Sequence, residues 1–124
     1  GLAGWTIQLD KDANGTVDTR DKTTNSYDSA SRLIRVVQEQ DYDGDGVVDY
    51  RGVRSSAYSA QGLLTADFLE ADADGDGSGV ITLRSNTSRI YSLSGNLLKT
   101  VYEEDGDGDG PSPINWREVT AYTY

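Results

Sequence analysis

At 124 residues the chain is sized for one domain or one segment of a repeat array. It is 35% apolar and 26% charged, so no large conventional core is expected, and with neither Cys nor His it lacks disulfides, thiolate metal sites and the commonest general base. A formal charge of −10 argues against nucleic-acid phosphates and anionic membrane surfaces as partners, and no apolar run approaches the roughly 18 residues of a membrane span.

The chain starts at Gly1 without a signal-peptide pattern, which reads as a processed product or an excised piece. A strand is expected over Leu2 to Leu9, followed by the acidic string Asp10-Lys11-Asp12-Ala13-Asn14-Gly15. A second strand runs from Val17 to Ser26, and after Tyr27 comes a small-residue reversal, Asp28-Ser29-Ala30-Ser31. The same order then recurs. Arg32 to Gln40 is followed by the loop Asp41 to Gly46, and Val48 to Ala57 by Tyr58 and the reversal Ser59 to Gly62. Leu63 to Ala71 leads to the loop Asp72 to Gly77, and Val80 to Ile90 to Tyr91 and the reversal Ser92 to Gly95. Asn96 to Glu104, the loop Asp105 to Gly110 and Ile114 to Thr123 complete the pattern. These stretches are rich in Val, Ile, Thr, Tyr and Leu, which suits strands, and none shows helical spacing over ten residues.

The loops recur at intervals of 31, 31 and 33 residues, which is the signature of stacked supersecondary units. The units span approximately 1–27, 28–58, 59–91 and 92–124. Two residues are added after the third and fourth loops. Columns aligned on the loops predict shared faces. They include Thr6, Val37, Phe68 and Val101, then Gln8, Glu39, Glu70 and Glu103, and on the outgoing strands Arg20, Arg51, Arg84 and Arg117.

The loops follow the pattern Asp-x-Asp-x-Asp/Asn-Gly, which is calcium-loop chemistry. Alternate side-chain oxygens converge when the backbone turns, and the sixth-position Gly permits a sharp turn through positive φ. The candidate metal ligands are Asp10, Asp12 and Asn14; Asp41, Asp43 and Asp45; Asp72, Asp74 and Asp76; and Asp105, Asp107 and Asp109. Position nine adds Asp18 and Asp49. The two-residue extension removes that Asp from the third and fourth loops, where Thr82 and Asn115 are the side-chain candidates and weaker or differently built sites are expected. Position twelve is Asp21, Gly52, Leu83 and Trp116, so three copies lack the closing carboxylate of an EF-hand, and the flanks are strands rather than helices.

Eleven of the 21 acids are loop Asp residues, and without them the balance is +1. Four bound Ca2+ ions would bring −10 to −2. Without a cation three crowded carboxylates repel one another, so calcium binding becomes folding energy. The Arg column is expected to pair with Glu39, Glu70 and Glu103 rather than to bind an anion. The Tyr column (Tyr27, Tyr58, Tyr91, Tyr124) is expected to buttress the reversals, with glycan stacking as its alternative, and Trp5 and Trp116 to serve as core or contact residues. Asn14 and Asn86 head N-glycosylation patterns that arise readily by chance. Glu103 and Glu104 read as surroundings of the fourth loop, and no catalytic constellation stands out.

Tyr27-Asp28-Ser29-Ala30-Ser31-Arg32-Leu33 resembles the Tyr-Asp-x-x-Gly-Arg-Leu signature of YD repeats, shared by Rhs proteins, and Tyr58 to Leu64 and Tyr91 to Leu97 are degenerate versions of it. The resemblance implies a secreted or surface protein whose hairpins add edge to edge in a long winding sheet. The acidic loops depart from that family's pattern.

The expectation is an all-β fold: an antiparallel meander of four calcium-tipped hairpins and eight strands, extended or winding, with a closed barrel or sandwich as the competing architecture. The expected role is a non-enzymatic, calcium-stabilised structural module, extracellular or at the cell surface, in a filament, adhesin stalk or repeat array. Its expected partners are calcium and either further copies at the sheet edges or the continuation of a longer array. The alternative is a glycan-binding module using exposed Tyr and Trp.

Overall fold

The computed structural model describes residues 2–11, 14–72, 79–106 and 114–123, with Leu2 described by its backbone alone. It is all-β. The strands are β1 (Leu2–Leu9), β2 (Thr19–Tyr27), β3 (Leu33–Asp41), β4 (Tyr50–Tyr58), β5 (Leu64–Asp72), β6 (Leu83–Tyr91), β7 (Leu97–Asp105) and β8 (Trp116–Ala121). They form one sheet in the order of the chain, and every pair of neighbours is antiparallel. β1 and β8 do not pair with each other, so the sheet is open and not a barrel. No helix occurs among the described residues.

Two kinds of turn alternate. The connections after β2, β4 and β6 are tight. Ser31, Gly62 and Gly95 donate their N–H groups to the carbonyls of Asp28, Ser59 and Ser92 at 2.9–3.1 Å and take φ of 60°, 83° and 87°. A turn closed by a left-handed residue is a bulged hairpin, and the register slips there as expected, at Ser26/Tyr27, Ala57/Tyr58 and Ile90/Tyr91. Ser31 tolerates the left-handed conformation because Asp28 braces its turn. Asp28 Oδ1 accepts from the N–H of Ala30 and of Arg32, both at 2.9 Å, and Oδ2 from Arg32 Nε at 2.7 Å. The Arg32 backbone donor lowers the Asp28 pKa first, against some desolvation, with the guanidinium adding to it. Ser59 and Ser92 hold the later turns through one hydroxyl each, and there Gly takes the left-handed position.

The Tyr residues buttress these turns. Tyr58 donates its hydroxyl to the Leu33 carbonyl and Tyr91 to the Leu64 carbonyl, both at 2.9 Å, each reaching back to the start of the strand before its own. Arg32 lies 4.9 Å from the Tyr58 ring centroid, a cation–π contact.

Accessible surface is 7878 Å², against about 6,500 Å² for a compact monomer of this mass, so one layer is spread rather than folded on itself. Only Ala71 and Val101 are buried apolar residues among those described. The register puts Trp5, Ile7, Leu9, Tyr50, Leu69, Leu83, Tyr102 and Trp116 on one face. The other face carries the ion pairs Arg51–Glu39 (3.5 Å), Arg84–Glu70 (3.1 Å) and Arg117–Glu103 (3.3 Å), each within one hairpin. Those are the pairings expected from the aligned columns. In the first hairpin Gln8 stands opposite Arg20, and Arg20 turns instead to Asp41 at 3.9 Å.

Candidate metal centre

The acidic loops are the connections after β1, β3, β5 and β7, so all four lie at one end of the sheet. Successive loops are two strands apart, which is about 10 Å. β1 ends at Leu9 as expected, but the other three loops begin one residue later than the strand pattern suggested. Asp41, Asp72 and Asp105 are the last residues of β3, β5 and β7. The outgoing strands correspondingly start later than expected, at loop position ten in the first two units and twelve in the last two. The ladder resumes where Asp18, Asp49, Thr82 and Asn115 donate their N–H groups to the carbonyls of Leu9, Gln40, Ala71 and Glu104, at 2.8–2.9 Å.

The second loop is described throughout. Asp41 Oδ1 accepts from Gly44 N at 2.6 Å and Oδ2 from Gly46 N at 3.0 Å, so one carboxylate pulls the chain around itself. Gly44 and Gly46 have φ of 78° and 94°. Asp43 Oδ1 accepts from Asp45 N, and Asp45 Oδ1 from Val47 N, at 3.1 and 2.7 Å. Asp49 Oδ2 accepts from Tyr42 N at 2.6 Å and ties the outgoing limb to the incoming one. Carboxylate oxygens of Asp41, Asp43 and Asp49 lie within 4.8 Å of one another; Asp45 stands outside that group. Three hard anionic oxygens so close repel one another, and an oxygen-seeking divalent cation would relieve that repulsion.

The first loop has the same plan with fewer charges. Asp10 accepts from Asn14 N (3.2 Å) and Gly15 N (2.7 Å), Asn14 Oδ1 from Thr16 N (2.7 Å), and Asp18 Oδ2 from Lys11 N (2.5 Å). Asp12 lies outside the described residues. In the third loop Asp72 Oδ2 accepts from Gly79 N at 2.7 Å, while Oδ1 is buried without a hydrogen-bond partner among the described residues. Asp74 and Asp76 lie outside them. In the fourth, Asn115 Oδ1 accepts from Gly106 N at 3.1 Å, which is the tie that Asp18 and Asp49 make to position two. Asn115 thus occupies the bracing place that the insertion seemed to remove. Asp107 and Asp109 lie outside the described residues.

Burial is the feature that sequence reasoning missed. Asp41, Asp72 and Asp105 are 5%, 2% and 8% exposed and are the buried polar residues among those described. The fully buried side chain of largest volume is an aspartate. A carboxylate enclosed this far needs hydrogen bonds or a cation to offset its lost hydration. Asp10 holds the same place after β1 and is exposed, so spacing alone does not signal this burial.

Loops also touch across hairpins. A Cβ added to Gly44 would lie 1.9 Å from the Val17 carbonyl oxygen, so the second loop sits directly on the tail of the first. Glu103 belongs to the Arg117 pair, and Glu104 accepts from the Tyr102 hydroxyl in a short hydrogen bond. That bond, with desolvation and the Glu104 charge, raises the Tyr102 pKa. Comparison with protein-family models, curated proteins and solved structures finds no match.

Proposed function

We propose that this chain is a calcium-stiffened structural module, without catalytic function, of an extracellular filament, adhesin stalk or long surface array. The observation carrying the reading is the placement of Asp41, Asp72 and Asp105. β3, β5 and β7 each end on a buried carboxylate, Ala71 and Val101 are the buried apolar residues among those described, and at the second loop two more carboxylates join the first. Calcium fits the donors: oxygen only, from side chains on a short loop with glycines at its turns. Sites of this kind suit the millimolar calcium outside cells. A single-layer sheet has little apolar burial to stiffen it, so ions along one end would supply rigidity that a core supplies elsewhere. The YD-repeat resemblance supports the same reading, a winding sheet at a cell surface. The hydroxyls of Tyr58 and Tyr91 donate to backbone carbonyls, which supports buttressing over glycan stacking for those two residues.

The test is a sign reversal. Asp43→Asn removes one of the three clustered charges. In calcium it should lower the melting temperature and reduce the calorimetric stoichiometry from about four ions by one. In chelator it should raise the melting temperature, because repulsion is relieved, by an amount worth about 1 kcal/mol. A wild-type chain whose melting temperature ignores both calcium and chelator would end the proposal.

A further inference from the structure

Within this chain β1 and β8 each pair on one side only, and the two strands differ. β1 carries no charge and no proline along Leu2–Leu9, and it exposes Trp5, Ile7 and Leu9 on one face at 50%, 54% and 49%. It has none of the devices that keep an edge strand from pairing. β8 spans six residues where β2, β4 and β6 span nine, and it ends before Tyr122, which is 40% exposed. The Tyr122 N–H nevertheless donates to the Leu98 carbonyl at 2.9 Å, so its backbone is already aligned with the sheet.

We propose that β8 of one molecule takes up β1 of a second copy, head to tail, in the register already used between hairpins inside the chain. This rests on the structural-module reading and specifies the contact by which modules would join. The internal contacts β2·β3, β4·β5 and β6·β7 are one interface repeated three times. Arg20 stands opposite Asp41, Arg51 opposite Asp72 and Arg84 opposite Asp105. Further along the same strands, Asn25 stands opposite Val36, Ser56 opposite Asp67 and Arg89 opposite Thr100. Carried one step on by the repeat, this register sets Arg117 against Asp10 of the second copy, Thr120 against its Ile7 and Tyr122 against its Trp5.

Two of the new pairs are complementary. Arg117 meets a carboxylate, as Arg20 meets Asp41. Tyr122 meets Trp5, two exposed aromatics where the internal interfaces hold a small, polar or charged partner, and cross-strand aromatic pairs stabilise sheets. The contact uses different surfaces on the two molecules and does not close, so it propagates as a filament. One internal feature cannot be repeated. The first loop carries Ala13 at the position of Gly44, where a methyl would meet the neighbouring carbonyl.

The chain has no Cys, so engineered thiols report the register directly. Ile7→Cys and Thr120→Cys single variants of the whole chain, both retaining Trp5 and Tyr122, are mixed in calcium and oxidised. The proposal expects the mixed disulfide to outnumber both homodisulfides by tenfold or more. It also expects Leu9→Cys with Thr120→Cys, two residues out of register, to fall to the background level. Dominant homodisulfides, equal yield from the offset pair, or a wild-type monomer throughout a concentration series in sedimentation would each overturn it. Melting curves of the same samples keep the two readings separate. A monomer still stabilised by calcium sinks the junction and spares the metal; register-specific dimers indifferent to calcium do the reverse.

Discussion

The nesting of the second loop on the first makes Gly44→Ala the most informative single change. Two costs combine there. At φ of 78° an alanine pays left-handed strain, partly offset by the lower entropy of its unfolded chain, for a net of about 1 kcal/mol. Its methyl would also lie 1.9 Å from the Val17 carbonyl oxygen and 2.8 Å from the carbonyl carbon. Both are backbone atoms, so no rotamer change relieves the clash and the loops must separate, at about 1–3 kcal/mol. Gly15→Ala is the internal control: φ is 86°, and nothing lies within 4 Å of the added atom. Gly44→Ala should therefore cost about 2–4 kcal/mol and Gly15→Ala about 1 kcal/mol, with melting temperatures differing by several degrees. Urea denaturation of both variants at fixed free calcium measures the difference. The Gly44 variant should also bind calcium more weakly at the second loop, because the N–H that reaches Asp41 moves with the strand of loop it belongs to. Equal costs for the two variants, within about 0.5 kcal/mol, would refute rigid packing of loop on loop.

Two further outcomes follow from the sheet itself. Glu39 titrates below its ordinary 4.5, chiefly because Lys22 Nζ donates to it at 2.9 Å, against some desolvation, with Lys22 and Arg51 charge adding. Its contribution is complete above the ordinary carboxylate range and is lost as pH falls through its own lowered range. Glu39→Gln should lower stability at pH 7 and flatten the decline between about pH 5 and 3, read from denaturant midpoints in metal-free buffer; an unchanged acid limb would contradict this. Tyr91→Phe keeps the ring but removes the donor to the Leu64 carbonyl, and should cost about 1 kcal/mol with the urea m-value unchanged.

Much of the architecture could be read from residues because repetition makes period-two arguments reliable. Once Glu39, Glu70 and Glu103 fall in one column and Arg51, Arg84 and Arg117 in another, a hairpin register brings them together, and it does. The same reasoning failed for Arg20. Gln8 opposite it offers no charge, and its partner Asp41 lies on the strand added from the next hairpin. Strand boundaries at the loops were misjudged for a related reason: Asp41, Asp72 and Asp105 look like loop residues by composition but complete the incoming strands.

Side-chain periodicity and turn chemistry, which are local, were enough for eight strands, two kinds of turn and four oxygen-rich loops at one end of the sheet. What periodicity cannot carry is how strands add up across the sheet, because closure, twist and stacking depend on contacts far apart in sequence. Tertiary structure alone decided that the sheet stays open, that Asp41, Asp72 and Asp105 are buried while Asp10 and the aromatics of both edges are exposed, and that Gly44 rests on Val17. Each of these depends on a neighbour supplied by another hairpin, and no spacing within one unit encodes it.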